Sequence, residues 1–298
     1  MNKLHTDKCP LCDGNRLVSV MNCTDYHASG ENFEVWQCQD CGFLFTQDVP
    51  VEAEIGKYYD TVDYISHSDT QRGLTNKIYH LVRKWMLLKK KYLIQRTTNL
   101  KKGKLLDIGT GTGYFPYTMK KAGWQVNAIE KNEHARLFAQ QHFQIEVDRE
   151  DTLANYPDQS FDAITLWHVM EHIEGINSLW QSIQRLLKDR GVLIVAVPNP
   201  TSYDAKKYQS MWAAYDVPRH LWHFTPSTIQ QMGTKYGFVL AEQLPMPFDA
   251  FYVSILTEKY KNSSCPFLKG MWTGFIGWLH TLAKKEQSSS MIYVFRKK

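Results

Sequence analysis

Apolar runs alternate with amphipathic stretches through the middle of the chain, from about residue 100 to residue 245. Short apolar runs bounded by glycine, proline or acidic residues predict buried strands, and the longer periodic stretches between them predict helices. Strands that alternate with helices favour an α/β fold with a largely parallel sheet. The predicted strands cover residues 105–108, 124–129, 145–147, 160–167, 192–197, 238–243 and 290–296.

The first of these strands runs directly into a glycine-rich turn. Asp107 stands two residues before Gly109, and Gly111 and Gly113 follow at every second position, ahead of a helix predicted over residues 115–122. Glycine allows a positive φ and lets a ligand approach the main chain closely. The G-x-G-x-G spacing differs from the G-x-G-x-x-G of nicotinamide and flavin folds, so the turn predicts a ligand site of another kind.

An acidic residue ends the second strand. Glu130 lies 17 residues after Gly113, at the predicted strand tip. A carboxylate in this place suits a ribose, because it can accept hydrogen bonds from both hydroxyls.

These motifs, which together cover about residues 100–245, resemble those of class I S-adenosylmethionine (SAM) methyltransferases, and the glycine turn is similar to their motif I. The resemblance implies a seven-stranded Rossmann-like sheet with an antiparallel last hairpin, SAM as the cofactor, and methyl transfer. It also implies that the cofactor lies against the three glycines, with Asp107 near its methionine amino group and Glu130 on its ribose.

The resemblance assigns the rest of the cofactor site more loosely. It places Asp151 beside the adenine amino group, with Asp148 and Glu150 as competitors. It places Trp167 and His168 where the sulfonium and the acceptor would meet, although Trp167 suits the core equally well.

Four cysteines near the start of the chain form two C-x-x-C motifs, Cys9/Cys12 and Cys38/Cys41, with 25 residues between them. Four thiolates at about 2.3 Å suit a tetrahedral zinc ion and leave no open position, so we expect a structural site. Strands predicted at 16–21 and 33–37 would complete a small zinc ribbon. A thioredoxin-like redox pair would need a βαβ context, and a disulfide pair would need export.

The 298 residues have room for this ribbon at 1–46, a linker at 47–70 and a methyltransferase domain at 71–298 with an insertion at about 246–288. The polar N-terminus, the lack of a long apolar stretch and the metal-type cysteines favour a cytoplasmic protein. The net charge of +5 permits nucleic-acid or anionic-lipid binding without arguing for it.

The linker and the helix after it hold aromatic and basic residues. Tyr58, Tyr59 and Tyr64 lie in the linker, which in related enzymes often covers the cofactor. The helix predicted at 71–96 has an apolar stripe, and its basic residues predict a solvated face or a contact with RNA or acidic headgroups. The stripe comprises Ile78, Leu81, Val82, Trp85, Leu88 and Tyr92, and the basic residues are Lys84, Lys89, Lys90, Lys91 and Arg96.

A proline-bounded segment at 216–226 supplies the candidate acceptor side. Histidine as a residue type can act as a general base near neutral pH, so His220 and His223 are catalytic candidates, and His172 after the fourth strand is a third. One of the two loop histidines could instead hold the loop. Arg219 could bind a phosphate or carboxylate of the acceptor, or pair with Asp216. The aromatic Tyr203 and Trp222 complete the predicted acceptor site.

Loops of this kind resemble those of bacterial methyltransferases in sugar, polysaccharide or quinone pathways. One such group joins a four-cysteine zinc module to the same catalytic domain and methylates nucleotide-linked sugars, but this chain lacks that group's long C-terminal domain. The fourth strand also lacks the [D/N]-P-P-[Y/F] of base-N-methylating enzymes. We therefore expect an oxygen or carbon acceptor on a small, lipid-linked or nucleotide-linked metabolite.

Two other functions stay open: an RNA methyltransferase that uses the zinc module as a nucleic-acid clamp, and a non-catalytic SAM-binding module. The last open feature is an apolar helix predicted at 268–282. This helix could pack over the acceptor pocket, form a homodimer contact, or lie in a membrane interface to meet a lipid-linked substrate.

Overall fold

The computed structural model describes residues 3–59 and 74–298, so residues 60–70 of the predicted linker, including Tyr64, lie outside the described part. The strands are β1 (Lys3–Leu4), β2 (Leu17–Thr24), β3 (Asn32–Cys38), β4 (Leu44–Thr46), β5 (Val49–Pro50), β6 (Lys104–Ile108), β7 (Gln125–Ile129), β8 (Phe161–Trp167), β9 (Leu187–Pro198), β10 (Trp222–His223), β11 (Phe238–Pro245) and β12 (Ser290–Lys297). The α-helices are α1 (Glu52–Ile55), α2 (Leu74–Thr98), α3 (Tyr114–Lys121), α4 (Glu133–Phe143), α5 (Ile176–Leu186), α6 (Tyr203–Tyr208), α7 (Pro226–Lys235), α8 (Asp249–Tyr260) and α9 (Pro266–Ala283).

A mixed six-stranded sheet forms the centre of the α/β fold, in the order β11-β12-β9-β8-β6-β7. Strands β7, β6, β8 and β9 run parallel, while β12 is antiparallel to both β9 and β11. Because the carboxyl ends of the parallel strands meet at one edge, the loops after β6, β7 and β8 gather there.

The expectation of a seventh strand is not confirmed among the described residues. The segment predicted at 145–147 is reduced to one parallel bridge between Ile129 and Asp148. Its backbone follows β7 closely, since the Asp148 N–H donates to the Ala128 carbonyl and the Glu130 N–H to the Asp148 carbonyl. With only two apolar residues, Ile145 and Val147, the segment is too short to extend this pairing into a strand.

Both faces of the central sheet are covered, which explains the nearly continuous apolar sequence of its strands. Adjacent residues of β6 point to opposite faces: Leu105 packs with residues of α2 and α3, whereas Leu106 packs with residues of α5 and α7. Helix α7 begins with a side-chain cap, in which the Thr225 hydroxyl accepts from the Thr228 N–H, and Pro226 occupies the first turn.

The four-cysteine segment does not form its sheet alone. The second sheet has the order β10-β4-β3-β2, in which β2 and β3 match the two predicted ribbon strands and β10 comes from the histidine-containing loop. Trp222 of β10 lies opposite Phe45 of β4. Phe43, Phe45, Trp222 and Phe224 belong to the same buried cluster as one face of the central sheet. The N-terminal segment is therefore packed against the part of the chain that forms the central sheet.

Helix α2 lies largely where the sequence predicts it, but its buried face differs. Residues 71–73 lie outside the described part, as do the side chains of Ile78 and Leu81. Leu93 and Ile94 of α2 are buried, whereas four residues of the expected stripe are exposed: Val82, Trp85, Leu88 and Tyr92.

The insertion forms a helical hairpin of α8 and α9. Helix α9 corresponds to the helix predicted at 268–282, and α8 packs along it. Among the described residues, none of the helices has the length and apolar character needed to cross a membrane.

Candidate active site

A cleft of about 740 Å³ opens at the carboxyl ends of β6, β7 and β8. Its lining includes seven of the predicted site residues: Gly109, Gly111, Glu130, Asp151, His168, His172 and Arg219. Pro50, Ile55 and Tyr59 also line the cleft, so the N-terminal part of the chain supplies one of its walls. A volume of this size is within the range of pockets that bind small molecules.

Glu130 lies at the tip of β7 with its carboxylate fixed by the main chain. One oxygen accepts from the Gly111 N–H at 2.7 Å and the other from the Asn132 N–H at 2.9 Å. Each oxygen keeps a further lone pair for a ligand hydroxyl. Gly111 has φ +56°, and a Cβ built on it would meet no atom within 4 Å, so the space beside this turn is open to a ligand.

The other two glycines of the turn are required by packing. Gly109 has φ +71°, and a Cβ there would overlap the side chain of Val169. Gly113 has φ +83° at the start of α3, where a Cβ would come within 2.7 Å of the Ala139 Cβ in α4. Gly109 lines the cleft, whereas Gly113 lies behind it, against α4.

Asp107 and Trp167 lie beneath the cleft. The buried Asp107 carboxylate accepts from the Thr165 hydroxyl at 2.5 Å, and burial raises its pKa to about 6. Trp167 packs edge-on against Phe115, and the Lys90 ammonium lies 4.2 Å from the Trp167 ring centroid. Neither residue lines the cleft, so contact between their side chains and the cofactor gains no support from this geometry.

The three candidates for the adenine contact, Asp148, Glu150 and Asp151, differ in whether they line the cleft. Asp151 and Glu150 both line the cleft on the short helical segment Glu150–Asn155. Asp148 does not line it, because its carboxylate accepts from the Tyr156 hydroxyl at 2.5 Å. Asp151 and Glu150 therefore keep the geometry that the prediction requires.

His168 follows β8 in a left-handed conformation, with φ +57°, which is a strained position for a side chain of this kind. Its Nδ1 lies 3.6 Å from Glu171 Oε1, and its Nε2 lies 3.4 Å from Asp249 Oδ2. Burial acts to lower the pKa of His168, but Asp249 and Glu171 outweigh it and raise this pKa to about 9. His168 is therefore a cation at neutral pH.

His172 lines the cleft and has a defined tautomer. Its Nδ1 lies 3.0 Å from the Arg219 carbonyl oxygen and 3.2 Å from the Tyr59 hydroxyl. Because a carbonyl can only accept, Nδ1 carries the proton and Nε2 keeps its lone pair. Burial, followed by the nearby His220, lowers the pKa of His172 to about 4, so the ring is neutral near pH 7.

His220 and Glu171 lie beside His172. The two imidazole centroids are 4.5 Å apart, and the His220 Nδ1 is 2.9 Å from the Ala214 carbonyl oxygen. Glu171 is fully buried, and neither carboxylate oxygen has a hydrogen-bond partner in the described part of the chain. One possible metal-ligand atom from each of Glu171, His172 and His220, a carboxylate oxygen or a ring nitrogen, lies within 4.8 Å of the others. Such a group can pass a proton or hold a cation.

His223, the other catalytic candidate of the 216–226 loop, does not line the cleft. Its Nε2 is 3.0 Å from the Thr46 hydroxyl, which itself donates to the His220 carbonyl at 2.7 Å. The hydroxyl has given its only proton, so it accepts from His223. Burial lowers the pKa of His223 to about 3. The geometry corrects the catalytic prediction here: His223 holds β10 against β4.

The predicted acceptor-binding residues are occupied with structural contacts. The Arg219 guanidinium donates to Asp216, to Asp25 at 3.0 Å and to the Tyr58 carbonyl at 2.9 Å, so the ion pair with Asp216 is the alternative that the structure shows. Trp222 is buried and donates to the Ile173 carbonyl at 2.7 Å.

Tyr203 stacks on His280 of α9, with ring centroids 4.4 Å apart. Neither Trp222 nor Tyr203 lines the cleft, which corrects their assignment as acceptor contacts.

The four cysteines converge on one point. Their sulfur atoms lie within 4.8 Å of one another, with Cys9 to Cys41 and Cys12 to Cys38 both at 3.5 Å. A tetrahedral ion with bonds of about 2.3 Å needs sulfur separations of about 3.8 Å. The two C-x-x-C turns are also alike, since the fifth residue of each donates its N–H to the first cysteine carbonyl at 2.8 Å.

Three residues near the cleft were missed by sequence reasoning: Lys90, Glu171 and Asp249. Lys90 stands within a run of three lysines, so nothing distinguished it from the solvated face. Asp249 comes from the insertion, far along the chain from His168. Only Glu171 carried a signal, because an acid between Met170 and His172 in an apolar stretch is unusual for a strand exit.

A search of protein families agrees with this geometry. The family described as "Methyltransferase domain" matches residues 80–243, more than half of the chain. The chain belongs to this methyltransferase family. The family match and the curated relatives identify a SAM-dependent methyltransferase.

The curated relatives include ubiquinone biosynthesis O-methyltransferases. The protein of Glaesserella parasuis serovar 5 (strain SH0165) is 32% identical over 122 residues, which cover 37% of this chain and 52% of the relative. That of Xanthomonas oryzae pv. oryzae (strain PXO99A) is 28% identical over 130 residues, or 41% and 54% of the two chains. The chain spans about half the length of the curated relatives it matches.

Solved structures share the fold. Magnesium protoporphyrin IX methyltransferase from Synechocystis PCC 6803, with bound SAH, has a TM-score of 0.53 and 15% identity, covering 81% of this chain and 97% of that one. A putative sarcosine dimethylglycine methyltransferase from Galdieria sulphuraria has a TM-score of 0.51 and 17% identity, covering 73% and 86%. At these identities the likeness concerns the fold alone.

Replacing Glu130 by alanine should weaken SAM binding by about 1–3 kcal/mol, because the ribose hydroxyls lose their acceptor. Isothermal titration of SAM into each variant measures this. Glu133→Ala, an exposed acid nearby, serves as the control. Affinity for SAM that is unchanged in Glu130→Ala would remove the ribose assignment.

The buried neutral His223 should make the fold sensitive to acid. Its pKa falls from 6.5 in the unfolded chain to about 3 in the folded protein, so the unfolded state binds more protons between these values. Stability from this group is therefore present above pH 6.5 and is lost as the pH falls, by about 1.4 kcal/mol per pH unit.

We expect His223→Gln to reduce the slope of unfolding free energy against pH between pH 6.5 and 4 by about that amount. Urea denaturation at several pH values compares the two proteins, and all other acid-sensitive groups are common to both. Parallel slopes would contradict the buried neutral state.

Proposed function

We propose that this SAM-dependent methyltransferase transfers a methyl group to an oxygen or carbon atom of a small or carrier-linked metabolite, such as a sugar, a polysaccharide precursor or a quinone-like compound. The observation that carries the proposal is the position of His172, which lines the same cleft as Glu130 and keeps its Nε2 lone pair because the Arg219 carbonyl accepts the Nδ1 proton. A hydroxyl or an acidic carbon acceptor needs a group that takes its proton, and His172 offers one.

In this proposal the cofactor occupies the side of the cleft that Gly109, Gly111 and Glu130 line. Glu130 would hold the ribose hydroxyls, the open space beside Gly111 would admit the methionine part, and Asp151 or Glu150 would face the adenine. When bound, SAM supplies an activated methyl group on a sulfonium. Asp249, His168 and Glu171 together carry two negative charges and one positive charge, and this net negative charge suits a cationic cofactor.

His172 takes the acceptor proton in this proposal. Its Nδ1–H is held by the Arg219 carbonyl, which leaves Nε2 as the basic atom. Once protonated, the ring would be stabilised by the buried Glu171 carboxylate. Burial acts to raise the pKa of Glu171, but the His168 imidazolium and the two other histidines outweigh it, so the pKa of Glu171 is lowered. Glu171 would thus position His172 and balance its charge. His220 would be the third member of this cluster of Glu171, His172 and His220.

The rest of the lining supports an acceptor with an apolar body. Ile55, Tyr59, Ile173, Pro218 and Leu221 all line the cleft, and aliphatic and aromatic walls favour a ring or an isoprenoid over an extended anion. The curated relatives are named as O-methyltransferases of ubiquinone biosynthesis, which agrees with that preference.

We also propose that the four cysteines bind a structural zinc ion. Four sulfurs at near-tetrahedral spacing leave no coordination position for a substrate. Because β4 pairs with β10, an ion that orders the cysteine turns would also support the loop that carries Pro218 and Arg219.

His172→Ala should lower methyl transfer by about 100-fold or more, with SAM affinity unchanged, because a positioned base contributes about that factor. Labelled methyl transfer to the purified acceptor measures turnover, and titration of SAM measures binding. His134→Ala, an exposed histidine of α4, is the control. Full turnover in His172→Ala would show that the base lies elsewhere or that none is needed.

Removing the metal should unfold the N-terminal sheet and lower the melting temperature, since thiolate–zinc bonds supply folding energy there. Elemental analysis should give one zinc per chain, lost on chelation and in Cys12→Ser but retained in Cys265→Ser. Circular dichroism and a melting temperature that do not change in the metal-free protein would refute a folding role for the ion.

The acceptor class can be tested with methyl-labelled SAM and an extract of the source cells, separated afterwards into RNA, protein, lipid and small-molecule fractions. We expect label in the small-molecule or lipid fraction, and none with heat-denatured enzyme. Label that ribonuclease releases would contradict the proposal and favour action on RNA, with the exposed lysines of α2 as its contact.

A further inference from the structure

The hairpin of α8 and α9 buries its small residues and exposes its large ones. Gly270, Gly274 and Gly277 of α9 face α8, where a Cβ on Gly274 would lie 2.6 Å from the Phe251 Cα and one on Gly270 would overlap Ile255. Thr273 and Thr281 complete this buried stripe. Close packing through small residues is the means by which helices associate in an apolar solvent.

The opposite face of α9 is apolar and uncovered. Trp272 is 64% exposed and Leu268 is 67% exposed, which is unusual for side chains that normally drive burial in water. The exposed apolar side chains of α9 are Phe267, Leu268, Met271, Trp272, Phe275, Leu279 and Leu282. Phe248, which precedes α8, and Tyr252 of α8 are also exposed, and Phe248 contacts Trp85 of α2, with ring centroids 5.4 Å apart.

Positive charge predominates along the chain around this face. Residues 258–286 contain two acids, Glu258 and Glu286, and five exposed lysines: Lys259, Lys261, Lys269, Lys284 and Lys285. The Lys261 ammonium lies 3.9 Å from the Glu258 carboxylate. Lysines at the margin of an apolar helix face can extend towards anionic headgroups while the apolar side chains enter the acyl region.

We propose that α9 docks on an anionic lipid surface, with its exposed apolar face at the headgroup–acyl boundary and its lysines on the headgroups. The charge distribution favours this occupant over a second copy of the chain, because a two-fold dimer through α9 would bring two lysine-rich margins together. The 18 residues of α9 are long enough to lie along such a surface for about 27 Å.

Docking places the cleft near the lipid. Helix α8 begins at Asp249, whose carboxylate is 3.4 Å from the Nε2 of His168 in the cleft wall. The docking surface and the cleft thus share one structural element, and the inference does not depend on which acceptor is methylated.

Co-sedimentation of the full-length protein with vesicles tests this docking. We expect binding to phosphatidylglycerol vesicles, weaker binding to phosphatidylcholine vesicles, and loss of the difference at high salt. Trp272→Ser/Phe275→Ser should reduce binding by roughly tenfold or more, because two apolar side chains no longer enter the lipid. Lys284→Glu/Lys285→Glu should reduce binding to the anionic vesicles alone.

The matched control is Leu137→Ser/Val239→Ser, two exposed apolar residues outside the hairpin, which should bind as the unmodified protein does. Circular dichroism and SAM titration confirm that each variant is folded. No sedimentation with either vesicle, or equal sedimentation of Trp272→Ser/Phe275→Ser, would overturn the inference. A dimer by light scattering that this variant abolishes, without vesicle binding, would assign the face to a second copy instead.

Discussion

One buried cation joins the parts of this protein. The Arg219 side chain is 2% exposed, and its guanidinium bonds to Asp25, to Asp216 and to the Tyr58 carbonyl. Burying the guanidinium without these partners would cost folding free energy, and so would burying the carboxylates without the guanidinium. The N-terminal sheet, the segment before residue 60 and the loop after α6 are therefore held in one arrangement. The carbonyl of the same residue accepts from His172 and so fixes the tautomer of the proposed base.

The cleft follows from that arrangement. Its cofactor side depends on local geometry, namely a glycine turn after β6 and an acid at the tip of β7. Its other side depends on contacts between distant parts of the chain, because Tyr59 and Pro218 form a wall only when the N-terminal sheet pairs with β10. The cysteine cluster lies beside the β3–β4 turn of that sheet, since Cys38 ends β3 and Cys41 precedes β4. An ion there would therefore stabilise the strand that pairs with β10, and with it the acceptor side.

The sequence was sufficient wherever neighbours along the chain decide the structure. The glycine turn and the position of Glu130 depend on residues a few positions apart. The prediction of an α/β fold with a largely parallel sheet follows from strand periodicity, whereas the antiparallel hairpin is what the family resemblance implies. It was insufficient where the partner is remote. The separate environments of His172 and His223 arise from pairings across more than 40 and more than 170 residues. The apolar period of α9 predicted a helix, but only the contacts of Gly274 with α8 show which face is buried.

The most direct test of this account is the equilibrium unfolding of the metal-loaded Arg219→Met protein, followed in parallel by far-ultraviolet circular dichroism and by metal release. Arg96→Met is the control, because Arg96 also pairs with a carboxylate, that of Glu242, but at the surface. The account predicts that Arg219→Met loses about 3–5 kcal/mol, with both signals changing in one transition, and that Arg96→Met loses less than about 1 kcal/mol. Equal small losses in the two variants, or metal release well before the central sheet unfolds, would show that the N-terminal sheet is an independent unit.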